Sequence, residues 1–391
     1  RAHGGYRDLD LIENFTGFLR NPVDGDRRWQ RQRTWSGGVD ARLDLELLPT
    51  LTLRAGAGLR VDELDQREDD VGRSLERLST RRDLEATQGL GHLMAGLRLR
   101  PTEQLALEAG ARLDAAVVNT RRRTDGEVGD GEAWTASPRV GLRWRPGPTL
   151  SLVAAYGRGF RPPDARAYLG FEADRTAFED EVAVATSPGF TVSDAVELGA
   201  GWRPRPWLEG SLSLFGTLIE RESVFDHVSG VSVDLGGTRR LGAELLLSVR
   251  PRPWLRVALD GTAVDGRFVA SGTAIPFAPA LSGGARAELD HPSGLGGGLR
   301  VLVLGARRLP YDAVAPTLVR ADLTLGYRWD RFTLDLEVEN LLGRPQLEGV
   351  YNYASHWRPG EPASELPALH TTVSPPLNAR LTLGVHLDGP G

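Results

Sequence analysis

The sequence predicts an all-β fold, a transmembrane antiparallel β-barrel in which about sixteen strands are visible. Three observations support this prediction. Apolar and polar residues alternate with a period of two along much of the chain, which is typical of strands whose two faces meet different surroundings. Short turns, most of them marked by proline, alternate with longer polar stretches. Aromatic residues lie near the predicted strand ends.

The clearest alternation lies in two segments. From Leu43 to Leu47, leucine occupies every second position and acidic residues lie between. Residues 332–339 repeat the pattern, with phenylalanine, leucine and valine on one side and threonine, aspartate and glutamate on the other. Residues 207–216 and 254–261 alternate more loosely. Each segment is therefore predicted to be a strand with one apolar face.

Tight hairpins recur along the chain. Each combines two alternating arms with a short connection, which is the signal of an antiparallel hairpin. Seven segments fit this description: 43–56, 96–110, 141–157, 201–216, 247–261, 288–301 and 326–340. With further strands near 11–20, 30–48 and 375–387, the predicted total is about sixteen, each long enough to cross a bilayer at a tilt.

Longer polar stretches separate the hairpins. They are residues 63–83, 118–133, 158–193, 222–238, 266–278, 308–316 and 342–374. Short connections at one end and long ones at the other are typical of outer-membrane barrels, whose long loops are extracellular. The sequence therefore predicts a bacterial outer-membrane location.

The aromatic residues fit the same interpretation. Those near strand ends are Trp144, Tyr156, Trp202, Trp207, Trp254, Tyr327 and Trp329. Such rings suit membrane interfaces, where one side is apolar and the other wet. The alternative is a soluble β-sandwich with aromatic residues capping its core. Sixteen strands whose second face carries Arg, Asp and Glu fit that alternative poorly.

Composition excludes several classes of protein. The absence of cysteine excludes a disulfide scaffold, a thiolate metal site and a cysteine nucleophile. A net charge of −5 with mixed signs gives no basic nucleic-acid surface. The seven histidines and the glycines form no catalytic or phosphate-binding motif. We therefore predict no enzyme activity, no cofactor and no metal site. The acidic segments 21–26 and 125–132 could chelate Ca²⁺, but solvated loops are favoured.

Five segments, in order along the chain, resemble one family. They are 137–169, 196–226, 237–268, 275–289 and 320–346. The first contains "GRGFRPP", which is similar to the family's Gly-Phe-Arg-x-Pro pattern, and the last contains the Asn340–Leu341 pair of its "NL" signature. Together they resemble the C-terminal β-barrel of TonB-dependent outer-membrane receptors.

The resemblance implies a 22-stranded barrel filled by an N-terminal plug that carries an energy-coupling box. Residues 1–391 would form part of that barrel, with the plug and roughly the first six strands absent from this chain. The implied partners are a TonB-type energy-transducing protein, acting through the absent N-terminal region, the lipid bilayer and lipopolysaccharide, and a small-molecule ligand such as a metal chelate. The expected state is a monomeric barrel.

Two predicted loops carry candidate ligand-binding residues. Arginine forks suit carboxylate or phosphate groups, and aromatic rings suit stacking against a ligand. The candidates are Arg158, Arg161, Arg166 and Tyr168 in loop 158–193, and Tyr351, Tyr353, His356 and Trp357 in loop 342–374. Each arginine could instead pair with a nearby loop carboxylate or with a lipopolysaccharide phosphate.

Three functions remain open at this point. The first is an active-transport receptor that binds a scarce solute (siderophore-iron, a corrinoid or a glycan) at its extracellular loops for TonB-energised uptake. The second is a passive porin, because sixteen is also the strand count of closed barrels. The third is a β scaffold or surface adhesin without transport activity.

Overall fold

The computed structural model describes residues 1–163, 169, 189–226, 231–359 and 361–386 of the 391-residue chain. The described residues form strands and irregular connections. In chain order the strands are β1 (Ala2–Glu13), β2 (Arg28–Leu48), β3 (Leu51–Val71), β4 (Arg77–Leu99), β5 (Leu105–Arg122), β6 (Val128–Gly147), β7 (Leu150–Arg161), β8 (Thr191–Arg205), β9 (Leu208–Ile219), β10 (Ser223–Asp226), β11 (Val231–Asp234), β12 (Thr238–Arg252), β13 (Leu255–Phe268), β14 (Leu281–Asp290), β15 (Leu295–Leu304), β16 (Arg307–Arg308), β17 (Val314–Ala315), β18 (Leu318–Trp329), β19 (Phe332–Glu339), β20 (Leu347–Ala354), β21 (Pro367–Val373) and β22 (Asn378–Val385).

One antiparallel sheet contains sixteen of these strands. Its order is β1 to β9, then β12 to β15, then β18, β19 and β22. The six short strands form three separate two-stranded pairs, β10–β11, β16–β17 and β20–β21. The all-β fold and the strand count are thus confirmed. The seven predicted hairpins are also confirmed, as the pairs β2–β3, β4–β5, β6–β7, β8–β9, β12–β13, β14–β15 and β18–β19.

Several predicted boundaries are wrong. Arg158 and Arg161, predicted in a loop that starts at residue 158, belong to β7. Residues 63–83 are not a loop, because β3 and β4 remain paired up to Val71 and Arg77. Residues 118–133 are mostly strand as well, since β5 and β6 remain paired up to Arg121 and Val128. The strand predicted at 11–20 lies earlier, because β1 ends at Glu13. The polar ends of β3 to β6 continue the hydrogen-bonded ladder beyond the apolar part of the sheet. A strand that faces water there needs no apolar face, so alternation does not reveal it.

The sheet has one apolar and one polar face. Cross-strand partners share a face, so the register sorts side chains into rows. One row across β2 to β6 contains Leu45, Leu53, Leu97, Ala109 and Val140. The neighbouring row contains Asp44, Arg54, Gly96, Gly110 and Arg139. An apolar outside and a polar inside are the two faces of a transmembrane barrel wall.

Aromatic residues mark the two borders of the apolar band. Trp134 and Trp144 lie ten residues apart on one face of β6, with exposed fractions of 76% and 46%. Ten residues tilted by about 40° span roughly 25 Å, the height of a lipid-facing band. At the outer border the rings of Tyr6 and Trp35 lie 4.6 Å apart. The predicted aromatic girdles therefore have structural counterparts at both ends of the strands.

The edges of the sheet are β1 and β22. Within the described residues, no ladder of hydrogen bonds joins these two strands. The accessible surface is 23353 Å², against roughly 15,000 Å² for a compact protein of this mass. The excess arises because a single-layer sheet exposes both of its faces. Among the described residues, none forms a helix of the length and hydropathy that crossing a bilayer requires.

Buried apolar side chains gather at the outer end of the sheet. We name three groups: the wall cluster (Leu84, Ala86, Val118 and Leu169), the central cluster (Val233, Leu235, Phe268 and Ile275) and the loop cluster (Leu309, Ala315 and Val350). The central and loop clusters consist largely of residues outside the sixteen-stranded sheet. Hydrophobic burial therefore fixes the outer loops relative to one another.

Candidate functional site at the outer mouth

Long connections surround the outer end of the sheet. Six of them, here called the mouth loops, span residues 14–27, 162–190, 220–237, 269–280, 305–317 and 340–377. The other two outer connections, 72–76 and 123–127, are short. The mouth loops carry all the short strand pairs and the candidate residues beyond β7, so they form the candidate site.

The first and last mouth loops meet. The His356 amide donates to the Thr16 carbonyl at 2.9 Å, and the Phe18 amide donates to the His356 carbonyl at 2.6 Å. Gly17 has a φ of +73°, and a side chain there would collide with the His356 backbone. Phe15 also packs edge-on against Phe225 of β10, with centroids 5.8 Å apart. Loop 14–27 therefore contacts two other mouth loops.

Phe277 of loop 269–280 contacts two other mouth loops. Its ring packs against both the central and the loop cluster. The same ring lies 5.9 Å from that of Tyr351. Its amide donates to the Arg308 carbonyl at 2.8 Å, and the buried Asn352 side chain donates to the Pro310 carbonyl at 2.9 Å. These contacts hold loops 269–280, 305–317 and 340–377 together.

The two described arginines of the β7 rim lie on opposite faces. Arg158 pairs with Asp194 through two hydrogen bonds of 2.9 and 3.0 Å. Tyr156, which shares its face, donates to the same carboxylate at 2.7 Å. By alternation Arg158 lies on the apolar face, and Arg161 lies on the opposite face. Arg161 donates to the buried Asp234 of β11 at 2.8 Å.

Arg166 and Tyr168 lie outside the described residues. The residues on either side of them are held against the inner wall. Gln88 donates to the Pro163 carbonyl at 3.3 Å, and Arg122 donates to the Leu169 carbonyl at 2.7 Å. Leu169 is buried in the wall cluster. Pro163 and Leu169 therefore contact the polar face of β4 and β5.

The buried Tyr353 and the half-buried His370 form a stacked pair in the last mouth loop. Their rings are 3.9 Å apart and almost parallel, across the β20–β21 ladder. Burial raises the pKa of Tyr353 to about 12, so its hydroxyl stays neutral. Burial also lowers the pKa of His370, which a hydrogen bond to the Tyr353 carbonyl only partly offsets. Neutral rings thus stabilise this hairpin at pH 7.

The other candidates in this loop differ in accessibility. Tyr351 and Trp357 are exposed at the mouth. His356 is buried, and its Nε2 atom has no hydrogen-bond partner among the described residues. The structure thus places two exposed rings, one stacked pair and one buried imidazole within one loop. It also brings Arg161 toward β11 rather than toward this loop.

The acidic loop segments organise their own backbones. Asp26 accepts hydrogen bonds from the Thr16 hydroxyl at 2.6 Å and from the Asn21 amide at 2.8 Å. Asp125 accepts from Arg122 and from the Glu127 amide. Among the residues described, no group of three or more His, Asp or Glu side chains has metal-binding geometry.

A family model for the TonB-dependent receptor-like β-barrel matches residues 1–341. That match covers more than half of the 391 residues. The chain belongs to the TonB-dependent receptor β-barrel family. Receptors of this family reside in the Gram-negative outer membrane. No curated protein sequence matches the chain.

Solved structures of TonB-dependent receptors share its fold. The ferric yersiniabactin uptake receptor FyuA from Yersinia pestis aligns over 98% of this chain and 58% of its own, with a TM-score of 0.70 and 13% identity. The ferric citrate transporter FecA aligns over 98% and 58%, with a TM-score of 0.73 and 12% identity. The copper transporter OprC aligns over 98% and 61%, with a TM-score of 0.72 and 16% identity. This chain thus spans about three fifths of these receptors' length.

Sequence reasoning missed several residues of the mouth. The sequence pattern does not single out Asp234, Phe277 or Arg307. In the structure, each of them is buried or bridges loops. No periodic pattern marks them, because they lie on short strands or turns of irregular loops. The Asn340–Leu341 signature of the TonB-dependent receptors does coincide with a loop-fixing residue.

Proposed function

We propose that this chain is the ligand-capturing barrel of an outer-membrane active-transport receptor. Its ligand would be a scarce solute, namely siderophore-bound iron, a corrinoid or a glycan, taken up with energy from a TonB-type protein. The observation that carries the proposal is the convergence of the mouth loops, in which loop 14–27 contacts loops 220–237 and 340–377. A passive pore does not need loops joined by buried clusters across its entrance.

The accessible groups of the mouth favour ligand capture. Tyr351 and Trp357 offer exposed ring faces, and Arg161 lies on the polar side of the β7 rim. Arg158 is a weaker candidate, because it shares its face with lipid-facing residues and is already paired with Asp194. We therefore propose Arg161, Tyr351 and Trp357 as ligand contacts, and Tyr353 and His356 as supports beneath them.

The passive porin is the alternative. A closed sixteen-stranded barrel requires β1 and β22 to pair, and each is an edge of the described sheet. Unpaired strand edges are prohibitively costly in lipid. This chain spans about three fifths of the length of the similar receptors. We propose that further strands complete the sheet and that a TonB-coupled plug accompanies them.

The first prediction concerns ligand binding and energy coupling. Outer membranes from producing cells are incubated with labelled ferric citrate, a ferric catecholate, cobalamin and a maltodextrin. We expect saturable binding of one class, weakened about tenfold by Trp357→Ala. We expect the same loss of affinity in the double variant Arg161→Gln/Asp234→Asn, which leaves no unpaired carboxylate. Arg158→Gln should bind the ligand as well as wild type.

Uptake by intact cells separates receptor from porin. A protonophore should abolish accumulation of the bound ligand while leaving binding to the outer membrane unchanged. Accumulation that rises in proportion to concentration and ignores the protonophore, with steady conductance in planar bilayers, would establish the porin instead.

A further inference from the structure

Within the described residues, Arg307 is a buried cation without a counter-charge. Its exposed fraction is 8%, and its Nη1 atom has no hydrogen-bond partner. In the described part of the chain, no ion pair or side-chain hydrogen bond involves this guanidinium. The neighbouring Arg308 is more exposed and does have a partner, Asp312, at 2.9 Å. The unpaired cation is therefore the more deeply buried of the two.

Several other buried charges among the described residues face an opposite charge. Asp114 lies 2.7 Å from Arg112, and Asp234 lies 2.8 Å from Arg161. Asp69, almost fully buried, contacts two arginines. Burial of a charge is costly unless it is paired and hydrogen-bonded. Within the described residues, Arg307 lacks the opposite charge that these carboxylates have.

The surroundings of Arg307 fix its position. It lies on β16 opposite the buried Ala315 of β17. Two residues further along the chain, Leu309 is fully buried in the loop cluster. Hydrogen bonds from the Phe277 and Leu309 amides hold the backbone on this side of the turn. The guanidinium therefore sits on a held backbone beside apolar groups, where low polarity strengthens its attraction for an anion.

We infer that Arg307 binds an oxyanion, a carboxylate or phosphate, of the ligand that enters the mouth. A guanidinium cannot lose its proton in a protein, so burial leaves it charged and in need of an anion. Its planar fork matches two oxygens of a carboxylate or phosphate. Arg307 lies opposite Ala315 of the loop cluster, and Phe277, which packs against that cluster, has its ring 5.9 Å from the ring of Tyr351. The inference rests on the proposed function for its ligand, which is an anionic solute.

Thermal unfolding of the purified full-length protein tests the site without transport. The probes are citrate and inorganic phosphate, compared with chloride at equal ionic strength in detergent free of lipopolysaccharide. We expect one of the oxyanions to raise Tm saturably by several degrees, because a ligand that binds only the folded state stabilises it. The probe with the larger rise identifies carboxylate or phosphate as the preferred group.

Three variants assign the effect. Arg307→Met keeps the length of the side chain and removes its charge, so it should lose the oxyanion-induced rise and be at least as stable as wild type in chloride. Arg307→Lys keeps the charge without the fork, and its affinity for the probe should fall about tenfold. The matched control Arg308→Met should respond like wild type.

Several outcomes would overturn the inference. One is an oxyanion response that survives in Arg307→Met. Another is a wild-type protein that responds to neither soluble probe, or to added lipopolysaccharide alone. The proposed function fails separately: a protein that shows the Arg307-dependent response but no energised uptake keeps the anion site and loses the transport role.

Discussion

At the scale of single residues, Asn340 clamps the last mouth loop. It has a φ of +50° and is almost fully buried. Its side-chain amide donates to the Arg344 carbonyl at 3.0 Å and to the Pro375 carbonyl at 3.1 Å, so it ties together both ends of loop 340–377. Asparagine adopts the left-handed conformation more readily than most residues. The family signature thus corresponds to a physical need for both the conformation and the amide.

Substitution of Asn340 should loosen that loop. Asn340→Gly keeps the backbone conformation and leaves two carbonyls without their donor, at a cost of about 1–3 kcal/mol. Asn340→Ala adds about 1 kcal/mol for the left-handed backbone. Limited proteolysis of the folded protein should cut within residues 342–374 faster in the Asn340→Gly variant than in wild type. Cutting should be fastest in the Asn340→Ala variant. Equal cutting of glycine and wild type would show that the amide bonds contribute nothing.

His370 should make the same loop sensitive to pH. Burial holds its pKa below the usual 6.5, while in an opened hairpin it titrates near 6.5. Below that pH the opened form binds more protons, so acidification favours opening; at higher pH this contribution to stability is fully retained. Hydrogen exchange in β20 and β21 should therefore accelerate as pH falls below 6.5, after correction for intrinsic rates. His370→Gln should remove the dependence, and an unchanged profile in that variant would refute its assignment to His370.

At the scale of strands, the sequence predicts the lipid-facing segments, whose alternation lipid requires, but not the polar strand extensions beyond them. The alternation that reveals the apolar face also locates the seven hairpins, because lipid imposes it at every second residue. Above the band that requirement ends. Residues 63–71 of β3 are nearly all polar and still pair with β4. Charge pairs such as Arg67–Asp69 support them, and hydropathy cannot distinguish such a strand from a loop.

Strand pairing also depends on close approach at Gly242. A methyl group there would collide with the Phe215 ring across the β9–β12 ladder and lie 2.7 Å from the Ala263 carbonyl oxygen. Because a backbone oxygen cannot step aside, Gly242→Ala should cost about 1–3 kcal/mol. Gly141→Ala is the matched control, since a side chain there meets nothing within 4 Å. The urea midpoint of each variant measures the difference, and equal midpoints would contradict the register of β9 and β12.

At the scale of the whole molecule, the sixteen-stranded sheet is predictable from the sequence, and the contacts between the mouth loops are not. Local periodicity determines which strands exist, and antiparallel hairpins determine their order. Contacts such as Thr16–His356 join residues some 340 positions apart and follow from no local pattern. Of the candidates selected by residue type, Arg158 and Arg161 lie at the end of β7, and the four later ones lie in loop 340–377. Arg307 became visible only through its burial, and Asp234 only through its burial and its contact with Arg161.

The last prediction tests whether the mouth is closed by its own loops. The chain has no cysteine, so an introduced pair reports a single contact. Thr16→Cys/His356→Cys should be joined efficiently by a short thiol cross-linker, because His356 and Thr16 share a backbone hydrogen bond of 2.9 Å. The joined chain encloses a very long loop, which should shift its mobility strongly on a denaturing gel. Each single variant should show no shift. The control pair Thr16→Cys/Asp125→Cys, whose second cysteine lies on a short outer turn, should not be joined.

If loops 14–27 and 340–377 must part to admit ligand, a reducible cross-linker should also slow energised uptake, and reductant should restore it. Efficient joining with undiminished uptake would show that the contact persists while ligand passes elsewhere; failure to join would show that the two loops do not meet in the membrane.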